Sequence, residues 1–451
     1  MNYKTPGVYV EEHAKFPPSV AQVETAIPAF IGYSDKGPRN EPTRISSMLE
    51  YETIFGKANE EAFEITIEDT SVEANVVLSP FKMYYAMQMY FANGGGPCYI
   101  VSVGDLESGF PSTVNPSDLK AGLATLEKED EPTLIVFPDG EALGNGIYSI
   151  YGDALSQAEL LKDRFVIMDV VGDGPDAVKN FRAGVGVGPS GEHLKYGAAY
   201  HPKLETVLSY NYNDKKVKVN VVVPSFAGGS GEETFLSDLK SSNSDLYNQA
   251  KKAIESKRVV LIPSSAIAGV YAKVDSTSGV WKAPANVGLS YVVAPTEKIS
   301  NEDQKTLNID AEAGKSINAI RTFAGKGTLV WGARTLDGNS NEWKYVSVRR
   351  LFNMVEESVK KATERFVFEP NTANTWVRVQ AMIENFLDQQ WRDGALAGSK
   401  PEEAFYVSVG LNRTMSAQDI LEGRMNIEVG LAAVRPAEFI VLRFSHKLQE
   451  A

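Results

Sequence analysis

The last third of the chain, residues 327–444, constrains the fold more than any other stretch because its long apolar patterns need packing partners. Two amphipathic helix patterns cover residues 347–364 and 376–391, each with its apolar residues in one stripe at helical spacing. Strand patterns follow at residues 425–434 and 439–444. This arrangement predicts a domain built for packing and assembly rather than for catalysis.

The final strand pattern is apolar on both faces, since it contains Phe439, Ile440, Val441, Leu442 and Phe444. An exposed strand edge of this kind is an aggregation hazard in a monomer. Either the strand lies inside the chain's own sheet, or it completes a sheet that neighbouring subunits share. The second interpretation is favoured because a strand-like segment lies at the other terminus as well.

That N-terminal segment carries Val8, Tyr9 and Val10, with the two valines on one face of a short strand. It has no hairpin partner nearby in the sequence. It either pairs with a distant strand of its own chain or adds to the sheet edge of another subunit.

The middle of the chain has a different pattern, in which strands alternate with helices. The run TLIVF at residues 133–137 and the run RFVIMDVV at residues 164–171 flank a helix pattern at residues 147–162. Such alternation indicates a partly parallel sheet with helices packed on it. A polar stretch ahead of it, residues 105–132, indicates a domain boundary.

The predicted fold class is mixed α+β and α/β, in a multi-domain chain with extended terminal arms. A mixed-sheet inner assembly domain is built from both chain ends, and an outer α/β domain is inserted into it. The predicted boundaries are an N-terminal arm at 1–20, an inner domain at 21–104 and 264–436, an outer domain at 105–263, and a C-terminal arm at 437–451.

Composition excludes several classes of protein. The net charge of -13 and the sequence pI of about 5.0 leave no basic footprint for nucleic acid. Cys98 is the single cysteine, which rules out an internal disulfide and argues against a cysteine-built metal site. No apolar run approaches about 18 residues, so no membrane insertion is expected. The first residues contain no apolar signal-peptide core, and synthesis in the cytoplasm is expected.

Signals for catalysis are weak. The four histidines are scattered along the chain, and the glycine run at residues 184–189 lacks the GK[ST] ending of a phosphate loop. No serine lies in a GxSxG motif. Asp139, Asp169 and Asp173 lie at predicted strand ends, where they are more simply interpreted as loop formers and helix caps. We therefore predict a protein that is not an enzyme and has no catalytic residue, cofactor or metal.

The chain resembles the sheath proteins of contractile phage tails and related contractile injection systems. The resemblance covers most of residues 1–103 and 264–451, with only loose similarity between them. It is carried by the motifs TPGVYVEE, TAIPAFIGY, FANGGGPCYIVSV, GVYAKVDSTSGVWKAPANV, INAIRTF, GTLVWGARTL, EWKYVSVRRLFNMVEESV, FEPNTANTWVRV and GRMNIEVGLAAVRPAEFIVLRF.

The resemblance implies a structural subunit that polymerises with itself as stacked hexameric rings around an inner tube. The arms, here residues 3–12 and 439–446, would exchange strands between subunits. Contraction would drive the tube through a target envelope without nucleotide hydrolysis, starting from a trapped extended state that a baseplate releases. Other implied partners are tail-terminator or cap proteins.

The resemblance also implies that a helix of the C-terminal domain touches the inner tube. This role maps to a short helix at residues 416–422 and the arginine beside it. The implied contact residues are Ser416, Gln418, Asp419, Glu422 and Arg424.

The sequence leaves the kind of machine open. The final location is a phage tail or a tail-like particle, including a tailocin or an extracellular or membrane-docked injection system. The alternative to the assembly function is an α/β enzyme or a monomeric binding protein that uses residues 133–262.

Overall fold

The structure is a computed structural model, which describes residues 20–68, 71–105, 113–186, 191–222 and 234–442. Val8, Tyr9, Val10 and Phe444, four of the predicted arm residues, lie outside the described residues.

Within the described residues the chain contains strands and helices in the following order. The strands are β1 (Pro28–Ser34), β2 (Thr43–Ile45), β3 (Ala62–Glu68), β4 (Ser71–Val77), β5 (Cys98–Asp105), β6 (Leu134–Val136), β7 (Phe165–Asp169), β8 (Gly197–His201), β9 (Leu204–Ser209), β10 (Lys218–Val222), β11 (Thr234–Phe235), β12 (Arg258–Leu261), β13 (Val287–Gly288), β14 (Val292–Pro295), β15 (Ile317–Phe323), β16 (Gly327–Val330), β17 (Phe405–Val409) and β18 (Ile427–Leu431). The α-helices are α1 (Met48–Phe55), α2 (Met83–Ala92), α3 (Pro116–Thr125), α4 (Ile147–Leu161), α5 (Gly174–Gly184), α6 (Leu236–Ser242), α7 (Ser244–Ser256), α8 (Ser264–Ser278), α9 (Asn301–Asn308), α10 (Val346–Thr363), α11 (Ala373–Arg392), α12 (Pro401–Ala404) and α13 (Ala417–Leu421).

A nine-stranded mixed sheet organises most of the chain, in the order β13-β16-β15-β8-β7-β6-β1-β5-β2. The strands from β15 to β5 are parallel to their neighbours, and the strands at the two edges are antiparallel. Every residue of β1 and β7 is buried. Parallel strands covered on both faces are typically continuous apolar runs, which explains why the sequence showed them clearly.

Helices cover both faces of this sheet. Phe30 of β1 packs in the core that contains residues of α2 and α8. Ala29 and Ile31, its neighbours in the strand, pack in the core that contains residues of α3 and α4. Because successive strand residues point to opposite faces, one short strand contributes to both cores.

The predicted inserted domain at residues 105–263 does not form a separate sheet in this structure. Its strands β6, β7 and β8 lie between β1 and β15 in the nine-stranded sheet. Among the described residues, one compact unit comprises 24–354 together with 435–442, and the other comprises 20–23 together with 355–434. The predicted boundary at 20/21 lies in the smaller unit, and the predicted boundaries at 104/105, 263/264 and 436/437 lie in the larger unit.

Two smaller sheets complete the larger unit within its described residues. One has the order β11-β10-β3-β4, and the other has the order β12-β9-β14. The antiparallel pair β3 and β4 was not predicted from the sequence. In β3, Phe63, Ile65 and Ile67 alternate with more exposed residues, as expected for a sheet with one covered face.

The smaller unit is built on α11 and a two-stranded antiparallel sheet. The buried stripe of α11 confirms the helix predicted at residues 376–391; it contains Val379, Met382, Ile383, Phe386 and Leu387. The strand predicted at residues 425–434 is confirmed as the shorter β18, which pairs with β17 from Phe405↔Leu431 to Val409↔Ile427.

Candidate assembly surfaces

The C-terminal segment at residues 439–442 is exposed and irregular. Phe439, Ile440, Val441 and Leu442 are between 70% and 80% exposed, and none of them belongs to a strand. The strand predicted at residues 439–444 is therefore absent over its described part, as is the alternative in which it lies inside the chain's own sheet. Four consecutive apolar side chains in water indicate a surface that binds a partner.

The residue before this segment is held firmly to the larger unit. Glu438 accepts hydrogen bonds from Nε of Arg334 at 3.0 Å, Nη2 of Arg334 at 2.6 Å and Nδ2 of Asn308 at 2.9 Å. The hydroxyl of Tyr345 donates a longer hydrogen bond at 3.3 Å. Burial favours a higher pKa of Glu438, but these hydrogen bonds outweigh it, and the pKa of the carboxyl is held below its ordinary value.

The sheet formed by β17 and β18 is small. Within the described part of the chain it contains only these two strands. Beyond the end of β18, the chain turns to pair with residues 395–397, where Leu396 bridges Ala433. Tyr406, which is 54% exposed, donates a hydrogen bond to Glu428 across the pair at 2.7 Å. A pair of strands is marginal on its own and is stabilised when further strands are added.

The short helix α13 lies in the same unit and confirms the predicted N-cap. The hydroxyl of Ser416 accepts from the backbone N–H of Asp419 at 3.2 Å, and the carboxylate of Asp419 accepts from the backbone N–H of Ser416 at 2.9 Å. The hydrogen bonds that the backbone N–H and the hydroxyl of Ser416 donate to the carboxylate lower the pKa of Asp419. The reciprocal arrangement is a capping box, which makes this five-residue helix well defined.

The structure brings all five predicted tube-contact residues together on α13 and the turn after it. Arg424 pairs with Asp419 at 3.0 Å and with Glu422 at 2.5 Å. The side-chain amide of Gln418 donates to Glu422 at 2.7 Å. All of these side chains lie on the surface. The charged groups among them hold one another in place and remain accessible to a partner.

The segment that supports this helix was not predicted from the sequence. Asn371 donates to the backbone carbonyl of Arg424 at 3.0 Å and accepts from the indole N–H of Trp376 at 2.6 Å. Beside it, Phe368 is fully exposed and has a φ of 70°, which is unusual for a bulky residue. The motif FEPN was visible in the sequence, but nothing in its composition indicated this exposure.

Two of the three aspartates predicted as loop formers and caps hold helix N-termini. The third, Asp173, precedes α5 without a side-chain cap hydrogen bond and pairs with Lys203 at 3.3 Å. Asp139, after β6, accepts hydrogen bonds from the backbone N–H groups of Tyr33 and of Lys82, the residue before α2. Asp169, the last residue of β7, accepts from the N–H of Ser264, the first residue of α8. Both side chains satisfy backbone N–H groups at helix N-termini that have no partner within the helix.

A cavity of about 670 Å³ lies in the larger unit beside His201. The imidazole Nε2 of His201 is 3.6 Å from Oε2 of Glu297, and burial lowers the pKa of His201 despite this carboxylate. No group of three or more His, Cys, Asp and Glu side chains with metal-binding geometry occurs among the described residues. Within the same residues, no helix is long and apolar enough to cross a lipid bilayer.

Comparisons with known proteins point to the sheath proteins of contractile tails and injection systems. The family model of the phage tail sheath C-terminal domain matches residues 339–447. The tail sheath protein of Vibrio phage KVP40 is 27% identical over 121 residues, which is 27% of this chain and 18% of that protein. The chain thus aligns with less than a third of that relative's length.

Two solved structures match over almost the whole chain. The sheath complex of the extracellular contractile injection system PVC, in its contracted state, is 30% identical with a TM-score of 0.66, over 100% of this chain and 99% of that one. The helical sheath of the anti-feeding prophage AFP, also contracted, is 34% identical with a TM-score of 0.67, over 99% of this chain and 100% of that one. The chain therefore belongs to the sheath proteins, the structural subunits of contractile phage tails and contractile injection systems.

Proposed function

We propose that this sheath subunit polymerises as stacked hexameric rings around an inner tube, and that its contraction drives the tube through a target envelope without nucleotide hydrolysis. In this proposal each subunit donates its terminal arms to neighbours and receives arms from them. The inner tube, the baseplate and a terminating cap are its partners. The assembled particle is a phage tail or a tail-like injection system.

The observation that carries the proposal is the combination of an exposed apolar segment and an incomplete sheet in one chain. Residues 439–442 expose four apolar side chains, whereas β17 and β18 form a sheet of two strands. A strand added to an open sheet edge gains main-chain hydrogen bonds, and its alternate side chains give specificity. We therefore place the acceptor of the exchanged arms at the β17–β18 sheet.

Exchange between identical subunits explains why the segment is not folded back on its own body. A contact between two different surfaces of the same chain is heterologous, and it generates rings or helical filaments. A sheath requires contacts that repeat around each ring and contacts that repeat along the tube. Two arms on each subunit supply two such contacts.

The energy for contraction would be stored during assembly. An extended lattice that forms on the tube is kinetically trapped, and a baseplate trigger releases it to a contracted lattice of lower free energy. Each subunit needs to contribute only a few kcal/mol, comparable to part of one domain's stability, because many subunits act in series. A phosphate-binding loop is unnecessary for this mechanism.

We assign the tube contact to the surface of α13 and Arg424. Asp419, Glu422 and Arg424 present a compact set of charges, and Leu421 beside them is 82% exposed. Polar contacts that form and break readily would hold the sheath in register with the tube and then release it. Such charged rims influence specificity and association rate more than the final affinity.

The proposal is tested by electron microscopy of the purified full chain, with and without its inner tube protein, in the absence of nucleotide. Striated hollow cylinders are the expected product. Discrete small particles under both conditions would contradict the polymer function and would favour a monomeric binding protein.

A further inference from the structure

Glu438 lies where the described C-terminal segment changes from bound to exposed. Its carboxylate is contacted by side chains from three parts of the larger unit: Asn308 at the end of α9, Arg334 after β16 and Tyr345 before α10. Phe439, the next residue, is 70% exposed. The transition from a held residue to a free one is therefore abrupt.

Arg334 provides a strong contact because it is itself buried and paired in two ways. The residue is 6% exposed, and its Nε and Nη2 atoms each donate to the carboxylate of Glu438 in a bidentate pair. Its Nη1 atom also donates to the backbone carbonyl of Asn308 at 3.2 Å. Bidentate arginine–carboxylate pairs combine strength with a fixed orientation.

The backbone of Arg334 is fixed in turn by a buried side chain of the nine-stranded sheet. Oδ1 of Asn318, in β15, accepts from the N–H of Arg334 at 2.7 Å, and its Nδ2 donates to the carbonyl of Arg334 at 2.8 Å. The same Nδ2 donates to the carbonyl of Ala199 in β8 at 3.1 Å. A continuous set of hydrogen bonds thus joins Glu438 to two central strands.

From this arrangement we propose that the Arg334–Glu438 pair is the anchor of the C-terminal arm: it fixes where the arm leaves its own subunit and transmits the pull of a neighbouring subunit to the nine-stranded sheet. The inference rests on the proposed arm exchange. It assigns Arg334, Glu438 and Asn318 as positioning residues of that exchange.

The anchor matters because it shortens the free tether. Leu442 lies four positions after Glu438, so an extended chain places it within roughly 14 Å of the anchor. Ahead of Glu438, the previous residue with a backbone hydrogen bond is Val434, which donates to the carbonyl of Ala395. An extended chain from Val434 to Leu442 spans roughly 29 Å. The tether is the stretch of chain between the last fixed residue and the apolar segment. The effective concentration of that segment at a neighbour's sheet falls as about the −3/2 power of tether length, so doubling the length weakens binding of the arm about threefold.

The test places the same flexible insertion on either side of the anchor. A Gly-Ser-Gly-Ser segment is inserted between Glu438 and Phe439 in one variant and between Val434 and Arg435 in the other. For each full-length protein, sedimentation over a concentration series, with and without the inner tube protein, gives the concentration at which half of the chain is polymeric. The anchor predicts that the downstream insertion raises this concentration about threefold and that the upstream insertion leaves it unchanged.

Point variants test the pair itself. E438Q keeps the shape of the side chain but removes its charge, and it should raise the same concentration by about threefold. The thermal midpoint of the free subunit should fall as well, because the buried Arg334 loses its charged partner. The doubly substituted R334E/E438R chain should recover part of the loss. E302Q is the matched control, since Glu302 also pairs with a basic residue of the larger unit but is 78% exposed at its side chain.

The outcomes separate the anchor from the arm exchange on which it rests. Equal effects of the two insertions, or no effect of either, would overturn the anchor. Removal of residues 439–451 should abolish polymerisation; normal polymerisation of that chain would overturn the arm exchange itself. If E438Q fails to fold, the two insertions decide, because neither alters the pair.

Discussion

Asp169, the last residue of β7, accepts a hydrogen bond at 2.8 Å from the backbone N–H of Ser264, where α8 begins. Asp139 has the same relationship to the start of α2. Two fully buried carboxylates thus hold two helices on one face of the nine-stranded sheet. At this edge of an α/β sheet, where enzymes commonly place their catalytic groups, the acidic residues instead have a packing role.

The first prediction concerns pH. Burial raises the pKa of Asp169 to about 7, although hydrogen bonds from Ser264 oppose this effect. Because the folded pKa exceeds the unfolded value, the contribution of this group to stability is complete below about pH 4 and is lost as the pH rises towards 7. Between pH 5 and 8 the wild type should therefore lose roughly 3 kcal/mol more unfolding free energy than D169N.

Urea unfolding of both proteins at pH 5 and pH 8 measures this difference. D139N serves as a comparison, since burial raises the pKa of Asp139 only to about 6 and its effect should have the same sign but be smaller. An identical pH dependence in the wild type and D169N would contradict the assignment.

The second prediction concerns the exposed segment. V441D should leave the free subunit folded, because Val441 is 76% exposed and surface substitutions usually change stability by about 0.5 kcal/mol or less. It should abolish polymerisation, since a charged side chain would be buried without a partner in the neighbour's sheet. Circular dichroism and sedimentation measure the two effects, and L442D should behave alike.

V77D is the control for this substitution, because Val77 is 79% exposed at the end of β4 and lies outside the arms. The expected result is normal polymerisation of V77D. Normal polymers of V441D would remove residues 439–442 from the proposed interface, whereas an unfolded V441D subunit would show that the segment packs in a core.

The third prediction concerns the surface of α13. Substitution of Glu422 by Lys changes the charge beside Arg424 without removing the capping box of Ser416 and Asp419. We expect binding of the subunit to the inner tube to weaken about tenfold, which corresponds to about 1.4 kcal/mol. Co-sedimentation with preformed tubes measures this, with Glu402→Lys as an exposed control on α12. An unchanged affinity would exclude Glu422 from the tube contact.

Helices and buried strands were predicted well from the sequence because their patterns are local. The stripe at residues 347–364 corresponds to α10, and the capping signal of Ser416 and Asp419 corresponds to the start of α13. These features depend on residues within a few positions of one another, so side-chain periodicity and hydrogen-bonding capacity are sufficient to indicate them.

Sheet membership could not be predicted in the same way. β3 pairs with β10, whose residues are about 150 positions later, and β6 enters the sheet beside β1. The sequence shows that a strand is buried on both faces, but it does not show which neighbour covers its edges. The sequence therefore could not show that β6, β7 and β8, within the predicted domain at 105–263, share a sheet with β1.

The candidate surfaces also contain features that the sequence shows and features that only the folded chain shows. The apolar character of residues 439–442 was evident in the sequence, and so was the need for a partner. The anchoring role of Glu438 was not evident, because it depends on Arg334 and Asn308, which lie more than a hundred residues earlier and meet it only in the folded chain. The tube-contact residues came from resemblance alone, and the structure adds their mutual pairing.

The fourth prediction concerns the N-terminal arm and tests the central claim most directly. We would record negative-stain electron micrographs of the full chain and of a chain lacking residues 1–12, each mixed with the inner tube protein and without nucleotide or metal. Exchange of arms predicts striated hollow cylinders from the full chain and folded, discrete particles from the truncated one. Normal cylinders from the truncated chain would contradict the account.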